Sequence, residues 1–297
     1  MTYPNLFSLV GNTPLVKLNS IFANPDVTVY AKLEGQNPGG SVKDRAAYNM
    51  ILSALDRGEI NEQTILIEAT SGNTGIALAM MAKQFNIPIE LVMPENSTQE
   101  RVDTMRAYGA TVILTPAKET IEGSIRYVED KLRQPNYFNL NQFGNKDNYL
   151  AHYKTTGPEI WKDTKGKITH FVSAMGTTGT IMGTSMYLKE QSSDIQIVGA
   201  QPSDGSSIPG IRKWSPEYLP KIFDASRVDK VIEVSQEEAT QMARRLAKEE
   251  GVFGGMSSGG AVAVAEKLVK TLDGPATLVC IICDRGDRYL SSDLFKE

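Results

Sequence analysis

Short apolar runs rich in Val and Ile alternate along the chain with longer segments of helical period. VTVYAKL is followed by a helical stretch at 45–57, ILIEA by one at 76–85 and IELVM by one at 98–108, after which comes TVILT. The rhythm weakens over 137–164, where NQFGN and the Gly157-Pro158 pair interrupt it, and resumes with ITHFVSAM, a helix at 181–191, IQIVGAQ and VIEV. Ser235 and Glu238 have the capping-box spacing that opens EEATQMARRLAKEE, and Gly251 supplies its stop. A further helix at 259–271 precedes the apolar strand in ATLVCIIC. Strands that are apolar throughout and separated by helices belong to parallel sheets covered on both faces. The pattern therefore predicts an α/β chain with a domain boundary near Asn145. Its least periodic stretch, 202–229, reads as a functional or interface loop.

The length of 297 residues suits about two domains at roughly 150 residues each. With 41% hydrophobic and 22% charged residues, 25 Gly and 14 Pro, the disordered, collagenous and disulfide-rich classes are excluded. A net charge of -4 without a dense Lys/Arg block leaves no electrostatic basis for binding nucleic acid. The opening MTYPNLFSLVGNTPL lacks the features of a secretory signal, and the longest apolar runs, 76–82 and 276–283, fall far short of the roughly 20 residues of a membrane helix. A soluble, cytoplasmic protein is expected. Cys280 and Cys283 form a CxxC, but a spacing of three along a strand sends the two thiols to opposite faces, which argues against a disulfide or a shared metal ion.

Three times a strand ends in a run of Gly, Ser and Thr that opens a helix: TSGNTG, GTTGT and the GMSSGG that begins at Gly255. Any one of these is accounted for by helix capping alone. Together they point to a site for several anionic groups, because helix N-termini beyond the carboxyl ends of parallel strands present unpaired N–H groups. Gly176, Thr177, Thr178, Gly179 and Thr180 are the best phosphate candidates, offering consecutive amides and three hydroxyls. Neither GxxxxGK[ST] nor GxGxxG occurs, so a smaller phosphorylated cofactor fits better than an NTP or a dinucleotide. GMSSG matches the nucleophile elbow with Ser257 as nucleophile, yet the only histidines, His152 and His170, precede it, and the hydrolase order needs one after. His170 reads as packed in its strand, His152 beside Tyr153 as a residue lining a cleft, and no metal site is expected. Lys43, in NPGGSVKDR, falls in the first turn of a helix, where the dipole disfavours a cation and eases the deprotonation a Schiff base needs. A solvated surface lysine would look the same in isolation; coupled to a phosphate loop, Lys43 points to pyridoxal phosphate.

SVKDR, TSGNTG, GTTGT and GMSSGGA stand in the order and spacing of the fold-type II pyridoxal-phosphate enzymes. GNTPLVKL is similar to the start of their cysteine synthase (O-acetylserine sulfhydrylase) branch, and SSIPGIRKW with IICDRGDRYLS resembles its type B isozymes. The likeness runs from Gly11 to Leu290. It implies two domains, each a mostly parallel twisted sheet flanked by helices: a smaller one at 36–145 with a substrate-carboxylate loop, and a larger one at 1–35 and 146–297 with the cofactor phosphate loop. By the same resemblance, Lys43 carries pyridoxal 5'-phosphate and moves the Cα proton, and Thr70, Ser71, Asn73 and Thr74 grip the substrate carboxylate. Asn73 also stands beside the cofactor 3′-oxygen, residues 176–180 cup its phosphate, Ser257 faces its ring nitrogen, and Gln142 lies on the substrate side. A neutral hydroxyl at the ring nitrogen suits β-elimination. The implied reaction is β-replacement on O-acetyl-L-serine by sulfide or thiosulfate, in a homodimer. Arg212 would hold the thiosulfate oxygens while the small Cys283 leaves room for them; a solvated Arg212–Lys213 pair and a core Cys283 are the alternative. Serine or threonine dehydratase and cystathionine β-synthase activities are the alternatives on this scaffold. A non-catalytic amino-acid-binding protein is disfavoured by the intact Lys43, and docking of a serine acetyltransferase is left open.

Overall fold

The computed structural model describes residues 4–296. Its strands are Leu15–Leu18 (β1), Val27–Leu33 (β2), Ile65–Ala69 (β3), Ile89–Pro94 (β4), Thr111–Thr115 (β5), Tyr137–Phe138 (β6), His170–Ala174 (β7), Gln196–Pro202 (β8), Lys230–Val234 (β9) and Ala276–Ile282 (β10). Its α-helices are Lys43–Asp56 (α1), Asn73–Gln84 (α2), Gln99–Ala107 (α3), Thr120–Lys131 (α4), Lys146–Lys154 (α5), Thr156–Asp163 (α6), Gly179–Gln191 (α7), Gln236–Glu250 (α8) and Met256–Val269 (α9). Contacts divide the chain into two compact units, one holding residues 4–10 and Lys43–Asn148, the other Gly11–Val42 and 149–296.

The smaller unit is built on a four-stranded, wholly parallel sheet in the order β5-β4-β3-β6. Alternate residues face opposite ways along each strand, so Leu66 and Leu91 join a core with α1 and α2, while Ile67 and Val92 meet Val128 of α4 on the other side. In α1, Ala46, Ala47, Met50, Ile51 and Ala54 recur at helical spacing and are all buried. Sequence order runs outward from β3 through β4 to β5, whereas β6 joins the opposite edge of β3. The gap between the carboxyl ends of β3 and β6 is therefore the sheet's topological switch point, the place where α/β sheets accept ligands.

The larger unit has a six-stranded sheet, β1-β2-β10-β7-β8-β9, parallel except for the antiparallel β1 at its edge. Leu278, Cys280 and Ile282 enter the core shared with α8 and α9, and Val279 and Ile281 enter the core shared with α6 and α7. Its switch point lies between β7 and β10, because β8 and β9 extend the sheet to one side of β7 and β10 joins the other. Ser235 caps α8 in a full capping box with Glu238, and Gly251 closes it at φ 68°.

Where the pattern of apolar positions fell short, the reasons are local. The helices α2, α7 and α9 start two or three residues before their apolar period begins, since the Gly/Ser/Thr runs themselves form the first turn. The interrupted stretch at 137–164 contains α5 and α6 in succession, with Pro158 accommodated in the first turn of α6, where it forfeits no helical hydrogen bond. The strand β10 ends at Ile282, so Cys283 lies just beyond it, while Cys280 is buried within the strand.

Candidate active site

In the smaller unit the turn from β3 to α2 places Thr70, Ser71, Asn73 and Thr74 at the switch point. Gly72 is the N-cap of α2 and makes no side-chain cap, so Asn73 and Thr74 form the helix's open first turn. Thr70 and Thr74 are buried, and Ser71 and Asn73 are half-buried. The Thr74 hydroxyl donates to Gln142 Oε1 at 2.7 Å, bringing together two residues 68 positions apart on the loops that follow β3 and β6. Gln142 is held in turn: its carbonyl accepts from Asn148 Nδ2 at 2.7 Å. Arg101 of α3 donates from Nη1 to the Ser71 carbonyl at 3.3 Å. The N-terminus of α2, the positive end of the helix dipole, suits a small carboxylate together with these hydroxyls.

In the larger unit Gly176, Thr177, Thr178, Gly179 and Thr180 link β7 to α7, with the three threonines buried. Thr178, the N-cap of α7, has φ 70°, a left-handed conformation that a β-branched residue adopts only under constraint. Its Oγ1 is buried without a hydrogen-bond partner among the described residues. A buried acceptor-donor at a helix N-terminus, within a loop whose glycines admit close approach, fits the phosphate of a cofactor.

The irregular loop after β8 is stitched onto that turn. Arg212 N–H donates to the Met175 carbonyl at 2.9 Å, and Trp214 Nε1 to the Gly176 carbonyl at 2.8 Å. A Cβ on Gly176 would sit 2.5 Å from the Gly210 carbonyl oxygen, and one on Gly210, itself at φ 88°, 3.3 Å from Ser257 Oγ. The phosphate turn, the 208–214 loop and the buried Ser257 at the start of α9 thus meet at the switch point. Arg212 and Lys213 part company: the Arg212 guanidinium lies 5.3 Å over the Trp214 ring, whereas Lys213 bonds Asp204 and Glu233 at 2.7 and 2.8 Å. Those two carboxylates push the Lys213 ammonium up to about 12.

The segment leading to Lys43 is anchored through residue 42. Ser41 bridges to Asp284, and Val42 N–H donates to the Cys283 carbonyl at 2.8 Å. The Cys283 N–H donates to Ser258 Oγ at 3.0 Å. Lys43 itself is half-buried and is the first residue of α1, as its spacing from Ser41 predicts.

His152 does not line a cleft. It is 1% exposed, with Nδ1 2.9 Å from Thr156 Oγ1 and Nε2 3.4 Å from Thr180 Oγ1, so it supports the phosphate turn from within the core. Its position one turn before Thr156 on a helical segment is the only signal the sequence offers. His170 is partly buried, and burial lowers its pKa below the usual histidine value. Sequence reasoning also missed Glu68, a lone carboxylate inside the apolar strand ILIEA. It is buried beside the Thr70 turn, where loss of solvent raises its pKa to about 7. Among the described residues no group of three or more His, Cys, Asp or Glu side chains is placed to hold a metal ion, and no helix is long and apolar enough to cross a membrane.

Residues 6–284 match the family model described as "Pyridoxal-phosphate dependent enzyme". The chain belongs to this family. It is 58% identical over 294 residues to cysteine synthase B of Pseudomonas aeruginosa, covering 99% of this chain and 98% of that protein. Cysteine synthase B of Escherichia coli (strain K12) is 54% identical over 288 residues, covering 97% and 95%. Among solved structures, cysteine synthase from Entamoeba histolytica superposes with a TM-score of 0.95 at 36% identity, covering 100% of this chain and 92% of that one. The chain is thus an α/β enzyme of the fold-type II cysteine synthase group, and its cofactor is pyridoxal 5'-phosphate. The resemblance carried by the four motifs is borne out over nearly the whole length.

Proposed function

We propose that this pyridoxal-phosphate dependent enzyme is a cysteine synthase that replaces the acetate of O-acetyl-L-serine with a sulfur nucleophile to give L-cysteine. The observation that carries this reading is the 58% identity with cysteine synthase B over 99% of the chain. Bound pyridoxal phosphate supplies the electron sink that makes the substrate Cα–H acidic. Lys43 is assigned the covalent link to the cofactor aldehyde. With substrate bound at the cofactor, the Lys43 amine would be the group that takes the Cα proton, and acetate would leave from Cβ. Residues 176–180 in the larger unit hold the phosphate, and the Ser257 hydroxyl is assigned to the ring nitrogen. In the smaller unit Thr70, Ser71, Asn73, Thr74 and Gln142 hold the substrate carboxylate. Sulfur then adds at Cβ and Lys43 returns the proton to Cα, which divides turnover into two half-reactions. A soluble cytoplasmic homodimer is the form we assign to it. The test is the visible spectrum of the cofactor-loaded protein: O-acetyl-L-serine alone should change it, and added sulfide should restore it. A spectrum that is insensitive to O-acetyl-L-serine but responds to L-serine would replace this reading with a dehydratase.

Thr74→Ala removes both a hydroxyl of the carboxylate site and the bond that holds Gln142. The affinity for O-acetyl-L-serine should fall about tenfold while cofactor content stays that of wild type. Unchanged dependence on O-acetyl-L-serine concentration would show that the turn serves something else.

Thiosulfate is a second sulfur donor in this proposal, with Arg212 as its cation, since Lys213 is already engaged by two carboxylates. Arg212→Ala should depress S-sulfocysteine formation from thiosulfate about ten- to a hundredfold and largely spare cysteine formation from sulfide. Equal loss with both donors, or no thiosulfate turnover by wild type, would leave a sulfide-only enzyme.

A further inference from the structure

Glu68 is the penultimate residue of β3, two positions before Thr70. Its carboxylate reaches sideways across the switch point of the smaller sheet to the loop that follows β6. Oε2 accepts from Asn139 Nδ2 at 3.0 Å and from the Asn141 N–H at 3.3 Å, and the Gln142 N–H also donates to the carboxylate. Asn139 is itself fixed, donating to the Ile67 carbonyl at 2.7 Å, and Asn141 is held at φ 52°. The next residue, Gln142, presents Oε1 to the Thr74 hydroxyl. One buried side chain therefore ties together the strand that leads into the carboxylate turn and the backbone that carries Gln142.

We infer that Glu68 is a positioning residue, whose ionised carboxylate anchors the Asn141 and Gln142 amides so that Gln142 and Thr74 form one substrate-carboxylate site. This rests on the assignment of 70–74 and Gln142 to the substrate carboxylate. The donors around Glu68 are all N–H groups, which an ionised carboxylate satisfies; a protonated one would direct an O–H among them and lose acceptor strength.

Burial opposes that charge and raises the Glu68 pKa to about 7, against the lowering influence of the Asn141, Gln142 and Asn139 bonds. The elements packed on β3 are β4, β6, α2 and α4. Their charged residues are Glu90 on β4, Lys83 on α2, and Glu122, Arg126, Glu129, Asp130 and Lys131 on α4. None of them is among the causes of the shift, so burial and the three hydrogen bonds govern the ionisation. The anchor is thus half formed at about pH 7, nearly complete one pH unit above it and largely lost one pH unit below it.

Gln is the neutral isostere of protonated Glu, so Glu68→Gln should behave at every pH as wild type does in acid. The experiment measures KM for O-acetyl-L-serine and kcat in the cofactor-loaded wild type, Glu68→Gln and Thr74→Ala, at about pH 8 and about pH 6. At the higher pH Glu68→Gln should raise KM about tenfold with cofactor content retained and kcat within about twofold. At the lower pH the ratio of the two KM values should shrink toward one; titration of the substrate amine cancels in this ratio. A KM unchanged by Glu68→Gln at about pH 8 overturns the inference while a raised KM in Thr74→Ala leaves the carboxylate site standing. A rise that is equal at both pH values shows a packing role and also overturns it, as does a lowered KM, which would mean that the charge opposes the substrate. If Thr74→Ala itself leaves KM unchanged, the carboxylate assignment fails and the inference falls with it. Should Glu68→Gln not fold, Glu68→Asp keeps the charge with a shorter reach. Its KM should exceed that of wild type at about pH 8 and converge at about pH 6, and no excess at about pH 8 overturns the inference.

Discussion

Lys43→Ala should abolish the covalent cofactor link and lower turnover by roughly a hundredfold to ten-thousandfold, the range that a positioned proton-transfer group supplies. The residue opens α1, and the chain before it is anchored by the Ser41–Asp284 bridge and the Val42 to Cys283 hydrogen bond, so the amine starts from a defined backbone position. Alanine is the best helix former and leaves the start of α1 intact, which separates loss of chemistry from loss of fold. The variant should purify folded and without the visible colour of the wild type. Borohydride reduction of the wild type followed by peptide mapping should mark Lys43. A label on a different lysine, or turnover within about tenfold of wild type in Lys43→Ala, would contradict the assignment.

The second large effect is structural in origin. In the middle of α7, Gly183 lies where a Cβ would collide with the Tyr149 carbonyl oxygen and come within 2.8 Å of both His152 Cβ and the Tyr153 nitrogen. The obstacle is mostly backbone, so no rotamer change relieves it. Gly183→Ala must push apart α7 and the segment 149–153, at a cost of about 3 kcal/mol or more. For a unit of this size the melting temperature should drop by about 6–12 °C. The same displacement draws His152 away from Thr180, loosening the phosphate turn, so cofactor affinity should fall together with stability. Calorimetry with and without added pyridoxal phosphate reads both. A melting point within about 2 °C of wild type would show that the two segments separate at little cost.

The strands were legible because parallel strands buried on both faces leave apolar runs such as ILIEA and IQIVGAQ, with no competing helical period. The helix α4 was not: TIEGSIRYVEDK buries only Gly123, Ser124 and Val128, so its apolar stripe is too thin to stand out. The phosphate turn was legible as composition, but its decisive feature was not. The left-handed backbone of Thr178 runs against the preference of a β-branched residue, and only the surrounding packing imposes it. Glu68 was hidden for a related reason. A single Glu in an apolar strand carries no spacing signature, and its partners, Asn139 to Gln142, lie about 70 residues away on the far side of the sheet's switch point. Chain-local pattern shows which residues can do chemistry, whereas topology decides which of them share a loop cluster.

The strand order has a consequence for biosynthesis. The smaller sheet is encoded wholly between residues 65 and 138, so its four strands leave the ribosome close together. In the larger sheet β2 gains β1 as an early neighbour on one edge, but its other partner is β10, about 250 residues later. At elongation rates of about 5–20 residues per second, the free edge of β2, apolar at Val27, Val29 and Ala31, waits roughly 12–50 s for the strand that covers it. A nascent chain of this topology is therefore open to wrong pairing for most of its synthesis, and the demand for protection falls on its first forty residues.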